Sequence, residues 1–377
     1  MLVTFAGLAY FISVGMIFPV LPRFVKGPLG GSNVAVGFVA GAFSVSAVLL
    51  RPFAGRLGDR FGRKILVLTG AAIAAVSIGA YSVAGSLIPI VALRLLNGVG
   101  EALFFTGAAT TVADLAPAER RGEAISFFSL ALYVGIGAGP FVGESILADR
   151  GFAAVWLVSA AICAAAVILS VKIPDTRPVM EGENQRSHLI HPAAVLPGIV
   201  MALSVCSFAG FSSFISLHTL DLGMSGSRYV FGTYAAVILT IRSLGAKIPD
   251  RLGARRTASI SLIVSAAGLV LMGLARAPWS LFPSVALFAI GQALSFPALM
   301  SLAAGSVPAG ERSSAIGTFT AFIDVAFGAG PLTLGLVAEA GGYPGVFLVS
   351  AALSLVGLLI LRTRSSATST AGRGAYP

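Results

Sequence analysis

Nearly uninterrupted apolar stretches of about 20 residues recur along this sequence from end to end, and nothing else in it limits the possible folds so severely. A helix that crosses a hydrocarbon layer ~30 Å thick needs about 20 such residues. Twelve runs can be drawn, at approximately 2–24, 34–54, 65–84, 86–112, 123–148, 152–173, 193–220, 228–248, 257–275, 279–306, 314–340 and 343–361. Backbone groups in lipid must pair within a helix or a closed barrel, and these runs lack the alternating polarity of barrel strands. The expected fold is therefore an all-α membrane protein of twelve transmembrane helices. With 11% charged residues and a mean hydropathy of +0.94, the chain has far too much apolar surface to hide in one soluble core.

The net charge of +10 raises the question of nucleic acid, and the positions of the charges answer it. If the N-terminus is cytoplasmic, 17 of the 25 basic residues fall in cytoplasmic segments, 5 in external loops and 3 (Arg51, Arg94 and Arg242) within helices. That is positive-inside bias, with both termini cytoplasmic and the bilayer as partner, and no nucleic-acid role is expected. The opening MLVTFAGLAY has no basic leader and no cleavage site follows, so residues 2–24 read as a retained first span. Cys163 and Cys206 fall within apolar runs, where they read as small packed residues, and no metal or redox centre is expected.

The chain is a duplication. PAERRGEAISFFSLALYVGIGAGP (117–140) aligns with PAGERSSAIGTFTAFIDVAFGAGP (308–331) at an offset of 191, which also superposes Asp59-Arg60 on Asp250-Arg251, Arg51 on Arg242 and Gly62 on Gly253. Six helices have been copied, and because six is even both copies enter from one side, related by a pseudo-two-fold axis along the membrane normal. The expected domains are a six-helix bundle at 1–173, a polar cytoplasmic linker at 174–192, a second six-helix bundle at 193–362 and a disordered tail at 363–377.

This layout, with Gly55-x-Leu57-Gly58-Asp59-Arg60-x-Gly62-Arg63-Lys64 between helices 2 and 3, resembles the major facilitator superfamily over the whole chain. Three further stretches resemble the family's bacterial drug/metabolite:proton antiporters, the multidrug and sugar efflux group. They are Pro19-Val20-Leu21-Pro22 in helix 1, Arg94-x-x-Asn97-Gly98-x-Gly100 in helix 4 and Gly135-x-Gly137-x-Gly139-Pro140-x-x-Gly143 in helix 5. The resemblance implies transport by alternating access, in a cell inner membrane, by a monomer. It also implies that the charged loop latches the two halves, through Asp59, Arg60, Arg63 and Lys64 in the first copy and Asp250 and Arg251 in the second. In residue terms, Gly55, Gly58 and Gly62 suit a tight hairpin, and the Asp59 carboxylate can pair with its basic neighbours or sit at a helix N-terminus.

Charges at bilayer depth cost at least ~2.5 kcal/mol each and call for a reason. Arg94, Asn97 and Glu101 are spaced to share one face of helix 4, which the family places against the central cavity. The family pattern carries a small residue where this chain has Glu101, so a carboxylate stands where it can take a cation or a proton, or where it can partner Arg94. Asp324 lies mid-way along helix 11, and its repeat mate is Tyr133, so the fold does not demand an acid there. Gln292 is the repeat mate of Glu101 and can hydrogen-bond a ligand without titrating. Glu144 and Glu339 sit toward helix ends, where water is expected to reach them. Helix 1 lacks the acid that several proton-coupled drug exporters carry there.

The glycines of helices 5 and 11 suit close packing of helices and not a nucleotide loop, and no phosphate-loop lysine occurs. No cofactor, ATP included, and no enzymatic activity are expected. The leading expectation is proton-coupled efflux of small amphiphilic or cationic compounds. Its rivals are a sugar or organic-anion symporter or uniporter with Arg94 as the anion ligand, and a non-transporting membrane receptor.

Overall fold

The computed structural model describes residues 1–117, 121–176, 190–244, 251–305, 307 and 311–371, and no strand occurs among them. The α-helices are α1 (Leu2–Lys26), α2 (Asn33–Phe61), α3 (Arg63–Ala80), α4 (Leu87–Leu115) and α5 (Arg121–Val171) in the first half. The second half has α6 (Pro192–Asp221), α7 (Arg228–Leu244), α8 (Ala254–Gly273), α9 (Leu281–Ala304) and α10 (Arg312–Ala371). Two of these are far longer than a bilayer is thick. The 51 residues of α5 break at Gly151 (φ +78°) and the 60 of α10 break at Gly342 (φ +69°). These glycines are repeat mates, and each adopts a positive φ that a side chain would strain, so the chain reverses there without a loop. With α5 and α10 each crossing twice, the described helices provide the twelve spans of two six-helix bundles.

Several boundaries differ from the sequence reading. α2 continues through Phe61 instead of stopping near residue 54, because a helix can leave the hydrocarbon without unwinding when its last turns carry basic residues. α10 continues to Ala371, so residues 363–371, expected to be disordered, carry on its last span as helix. The expected linker falls mostly on residues 177–189, outside the described residues, and α6 begins at Pro192 with the His191 ring capping its first turn.

Packing in lipid depends on how closely backbones can approach, so glycines mark the tightest helix pairs. α1 lies on α5 main chain to main chain: a Cβ on Gly15 would stand 2.8 Å from the Gly135 carbonyl, and one on Gly143 would stand 2.6 Å from the Met16 carbonyl. Gly139 and Pro140 belong to the same strip of α5. The two halves meet along α2 with α10 and along α5 with α7. In the first seam Gly37 and Gly41 press on Pro331 and Gly328; in the second Gly137 faces Ala235, and Phe141 faces Gly232.

Candidate functional site

The tight seam between α2 and α10 ends at an ion pair. Below Gly41 and Gly328, the Arg51 Nη2 lies 3.0 Å from Asp324 Oδ1, joining the two halves deep in the bilayer, with 22% and 12% of the side chains exposed. Arg51 also places its guanidinium 5.3 Å from the centre of the Phe105 ring on α4. Glu101 lies one turn before Phe105 on the same face of α4, and the charges of Arg51, Asp324 and Arg94 all act on it. The guanidinium is thus paired with the Asp324 carboxylate of the other half, while the Glu101 carboxylate of its own half feels its charge without an ion pair.

The second copy of this constellation is built from the repeat mates. Arg242 on α7 stacks on Tyr133 of α5 at 3.3 Å, again across the two halves, and Tyr133 packs edge-on to Phe296 at 6.2 Å. Phe296 is the mate of Phe105 and Gln292 the mate of Glu101. Gln292 turns its amide nitrogen to Ser204, 3.3 Å from the hydroxyl and 3.4 Å from the carbonyl. Both acids of the first copy thus have neutral counterparts in the second.

Arg94 and Asn97 do not join this cluster. Arg94 Nε and Nη2 donate to the carbonyls of Val39 and Ala40 at 3.0 and 2.7 Å, and its guanidinium covers Phe43 at 4.5 Å, so it clamps α4 onto α2. It also lines a cavity of about 20 Å³ with Phe18, Ser212 and Phe327, room for little more than a water. Asn97 donates to Ser77 Oγ and accepts from the Tyr81 hydroxyl, which engages both ends of its amide inside the first bundle. Sharing a helical face in sequence did not make these residues share a site, because Arg94 and Glu101 stand about two turns, ~10 Å of rise, apart on α4. Phe104, stacked on Tyr10 at 3.9 Å, and Phe211 and Phe214 are likewise core side chains.

The charged loop is arranged differently from a hairpin. Gly55, Gly58, Asp59 and Arg60 belong to α2, and the turn is the single residue Gly62 (φ +96°, ψ +153°), a conformation nearly exclusive to glycine. Gly253 repeats it before α8 (φ +81°, ψ +144°). The acid at the N-terminus of α3 is Asp175, whose Oδ1 accepts from the Lys64 amide at 3.2 Å. Arg63 Nε lies 3.6 Å from Asp114, which also accepts from the Thr176 hydroxyl at 3.1 Å. These contacts tie the first half to the start of the linker and do not reach the second half. The side chain of Asp59, and Asp250, lie outside the described residues; Arg251 is exposed.

At the opposite end of the bundle two carboxylates do what the loop acid was expected to do. Glu144, on α5, is 1% exposed and not open to water. Its Oε2 accepts from Arg23 at 2.9 Å and from the Ser227 amide at 3.0 Å, capping α7 of the other half. Reciprocally, Glu339 of α10 accepts from the Asn33 amide at 2.9 Å and caps α2, while Tyr343 donates to the Asn33 side chain at 3.3 Å. Neither α2 nor α7 has an acidic residue in its own first turn, and an acid borrowed from the other bundle satisfies free amides and the helix dipole together.

The sequence matches the Major Facilitator Superfamily over residues 3–251 and 198–375. It is 29% identical over 366 residues to an uncharacterized MFS-type transporter of Salmonella typhimurium, covering 93% of this chain and 92% of that one. The fold is similar to that of the nucleoside transporter NupG (TM-score 0.78, 15% identity, 96% of this chain and 98% of that one). It is also similar to a bacterial homologue of the human lysosomal transporter Spinster in an inward-facing and occupied conformation (TM-score 0.82, 15% identity, 97% and 96%).

Proposed function

The chain belongs to the major facilitator superfamily, and from that premise we propose that it is a proton-coupled secondary transporter exporting small amphiphilic compounds across a bacterial cytoplasmic membrane. It works as a monomer whose two halves, 1–173 and 193–362, rock about the site between them. The observation that carries this reading is the Arg51–Asp324 ion pair across the seam, with a second acid, Glu101, within reach of the same charge on α4. With both acids ionised only Asp324 has a paired guanidinium, and an unpaired carboxylate within the membrane is costly. A proton removes that cost. When Asp324 is charged, Arg51 ties the halves together; when Asp324 takes the proton, Arg51 turns to Glu101 within its own half and the seam is released. Proton binding thereby biases the balance between two conformations, which is all that coupling requires.

The Glu144 and Glu339 caps close the end that positive-inside counting assigns to the outside, so the present conformation is closed outward. The test is flux into proteoliposomes with a pH-sensitive dye inside, across a panel of dyes, drugs, sugars and siderophores. Substrate movement should carry protons, and an imposed pH gradient should drive accumulation. Transport with no proton movement for every compound carried would sink the reading.

A further inference from the structure

Arg242 stands in the position that Arg51 holds in the first repeat, but its protein-supplied anions are gone. Where Arg51 has Asp324 across the seam, Arg242 has Tyr133, and the repeat mate of Glu101 is the neutral Gln292. No carboxylate pairs with Arg242 among the described residues, and its Nε is shielded from solvent without a hydrogen-bond partner. The guanidinium is partly exposed, with the face of Tyr133 on one side and Tyr234 close enough for their electrostatics to interact. A permanently charged group in such a setting demands an anion, and the repeat shows where an anion would sit.

We propose that Arg242 is the binding site for an anionic group carried by the substrate, and that the substrate class is amphiphilic carboxylates with an aromatic or apolar body. Tyr133 holds the place that Asp324 fills for Arg51, so the substrate carboxylate accepts from the guanidinium edge that Tyr133 leaves uncovered, while Tyr133 and Phe296 provide apolar surface for the rest of the molecule. Proton and substrate then occupy pseudo-symmetric halves of one constellation: the acid-rich copy takes the proton and the acid-free copy takes the anion. This assignment deepens the transport reading given above and rests on it for the direction of coupling, but not for the binding itself.

The test measures binding to the purified full-length protein in nanodiscs, using benzoate, indole-3-acetate and naphthoate, each beside its neutral amide and the matching primary amine. Wild type should prefer each acid to its amide. Arg242→Gln should lose about tenfold or more in affinity for the acids, the size of one charge-assisted hydrogen bond, with little change for the amides. Arg242→Lys, which keeps the charge, should recover part of the loss and guards against a folding defect. Tyr133→Asp supplies the missing carboxylate from the protein and should suppress acid binding by occupying Arg242. Binding that favours the amines, acids bound no tighter than amides, or acid binding unchanged in Arg242→Gln overturns the assignment. Acid-selective, Arg242-dependent binding in a protein that moves no protons would leave it standing and sink the proton coupling instead.

Discussion

The two repeats carry the same arginine at the same place on the same seam, yet they surround it with opposite electrostatics. Arg51 is paired with a carboxylate and has a second acid within reach of its charge on α4, whereas Arg242 lies on a phenol ring and the residue at the corresponding second position is an amide that turns to Ser204. Several features that set backbone geometry are preserved between the copies: the breaks at Gly151 and Gly342, the turns at Gly62 and Gly253, and the prolines Pro140 and Pro331. What changed are the groups that bear charge or can gain it. Duplication thus supplied a symmetric scaffold that can rock, and side-chain divergence gave its two halves different ligands. A site with equal chemistry on both sides would bind either ligand in either half, and coupling would be lost.

If the acid-rich copy carries the proton, removing its charge should have the largest effect of any single change. Asp324→Asn should abolish accumulation driven by a pH gradient while leaving folded protein in the membrane, and the pH dependence of substrate affinity should flatten. The complementary change, Arg51→Gln, strands two carboxylates together; breaking a buried pair costs ~3–5 kcal/mol, and partial exposure places this one toward the lower end. Thermal unfolding in detergent should therefore fall further for Arg51→Gln than for Asp324→Asn. Equal accumulation in wild type and Asp324→Asn would dissolve the contrast between the copies.

Glu101→Gln makes the first copy resemble the second on its own-half side, since glutamine already stands at the mate position 292. Net uptake driven by a proton gradient should drop strongly, with substrate exchange retained. Counterflow and gradient-driven flux, measured on the same vesicles, separate the two. Should gradient-driven flux persist undiminished, Glu101 serves only to balance Arg51.

The end caps divide less evenly between the halves than their shared logic suggests. Glu144 is buried and holds both Arg23 and the Ser227 amide, whereas Glu339 is exposed and its cap competes with water. Glu144→Gln should shift the population toward the outward-open form, read as faster labelling of a cysteine placed at Ala40 beside the closed-end cavity. Glu339→Gln should shift labelling only slightly. Equal shifts would mean that burial does not decide the strength of these caps.

The contrast between what the sequence disclosed and what it hid follows from the range of the interactions. Span number, the duplication and the packing strip from Gly135 to Gly143 depend on local composition and on a fixed offset, so they can be read directly. Asp324 and Glu101 stand out because charge in lipid is costly wherever it occurs. The pairing of Asp324 with Arg51 could not be read, since it depends on which face of α2 meets α10, and a helix can be rotated about its axis without altering its hydropathy. Asn97 shows the converse: a polar residue on a helix facing the cavity can be wholly spent on its own bundle, here on Ser77 and Tyr81. The Glu144 cap was hidden because its partner is a backbone amide, which every sequence contains.

The smallest effect concerns the scaffold itself. Gly62 and Gly253 adopt nearly the same dihedrals, so alanine at either should pay the same backbone strain, about 1–3 kcal/mol for this glycine-only region. Their surroundings differ. A Cβ on Gly62 would run into the Asp175 carboxylate that caps α3, whereas one on Gly253 meets nothing within 4 Å among the described residues. Gly62→Ala should therefore lower the unfolding temperature more than Gly253→Ala, by the additional loss of the Lys64 amide cap, typically ~1 kcal/mol. Adding Asp175→Ala to both variants removes the obstruction and should bring the two costs of alanine together. If Gly253→Ala proved the more damaging of the two, the second turn would have a constraint with no counterpart in the first, and the equivalence of the two scaffolds would fail at its simplest point.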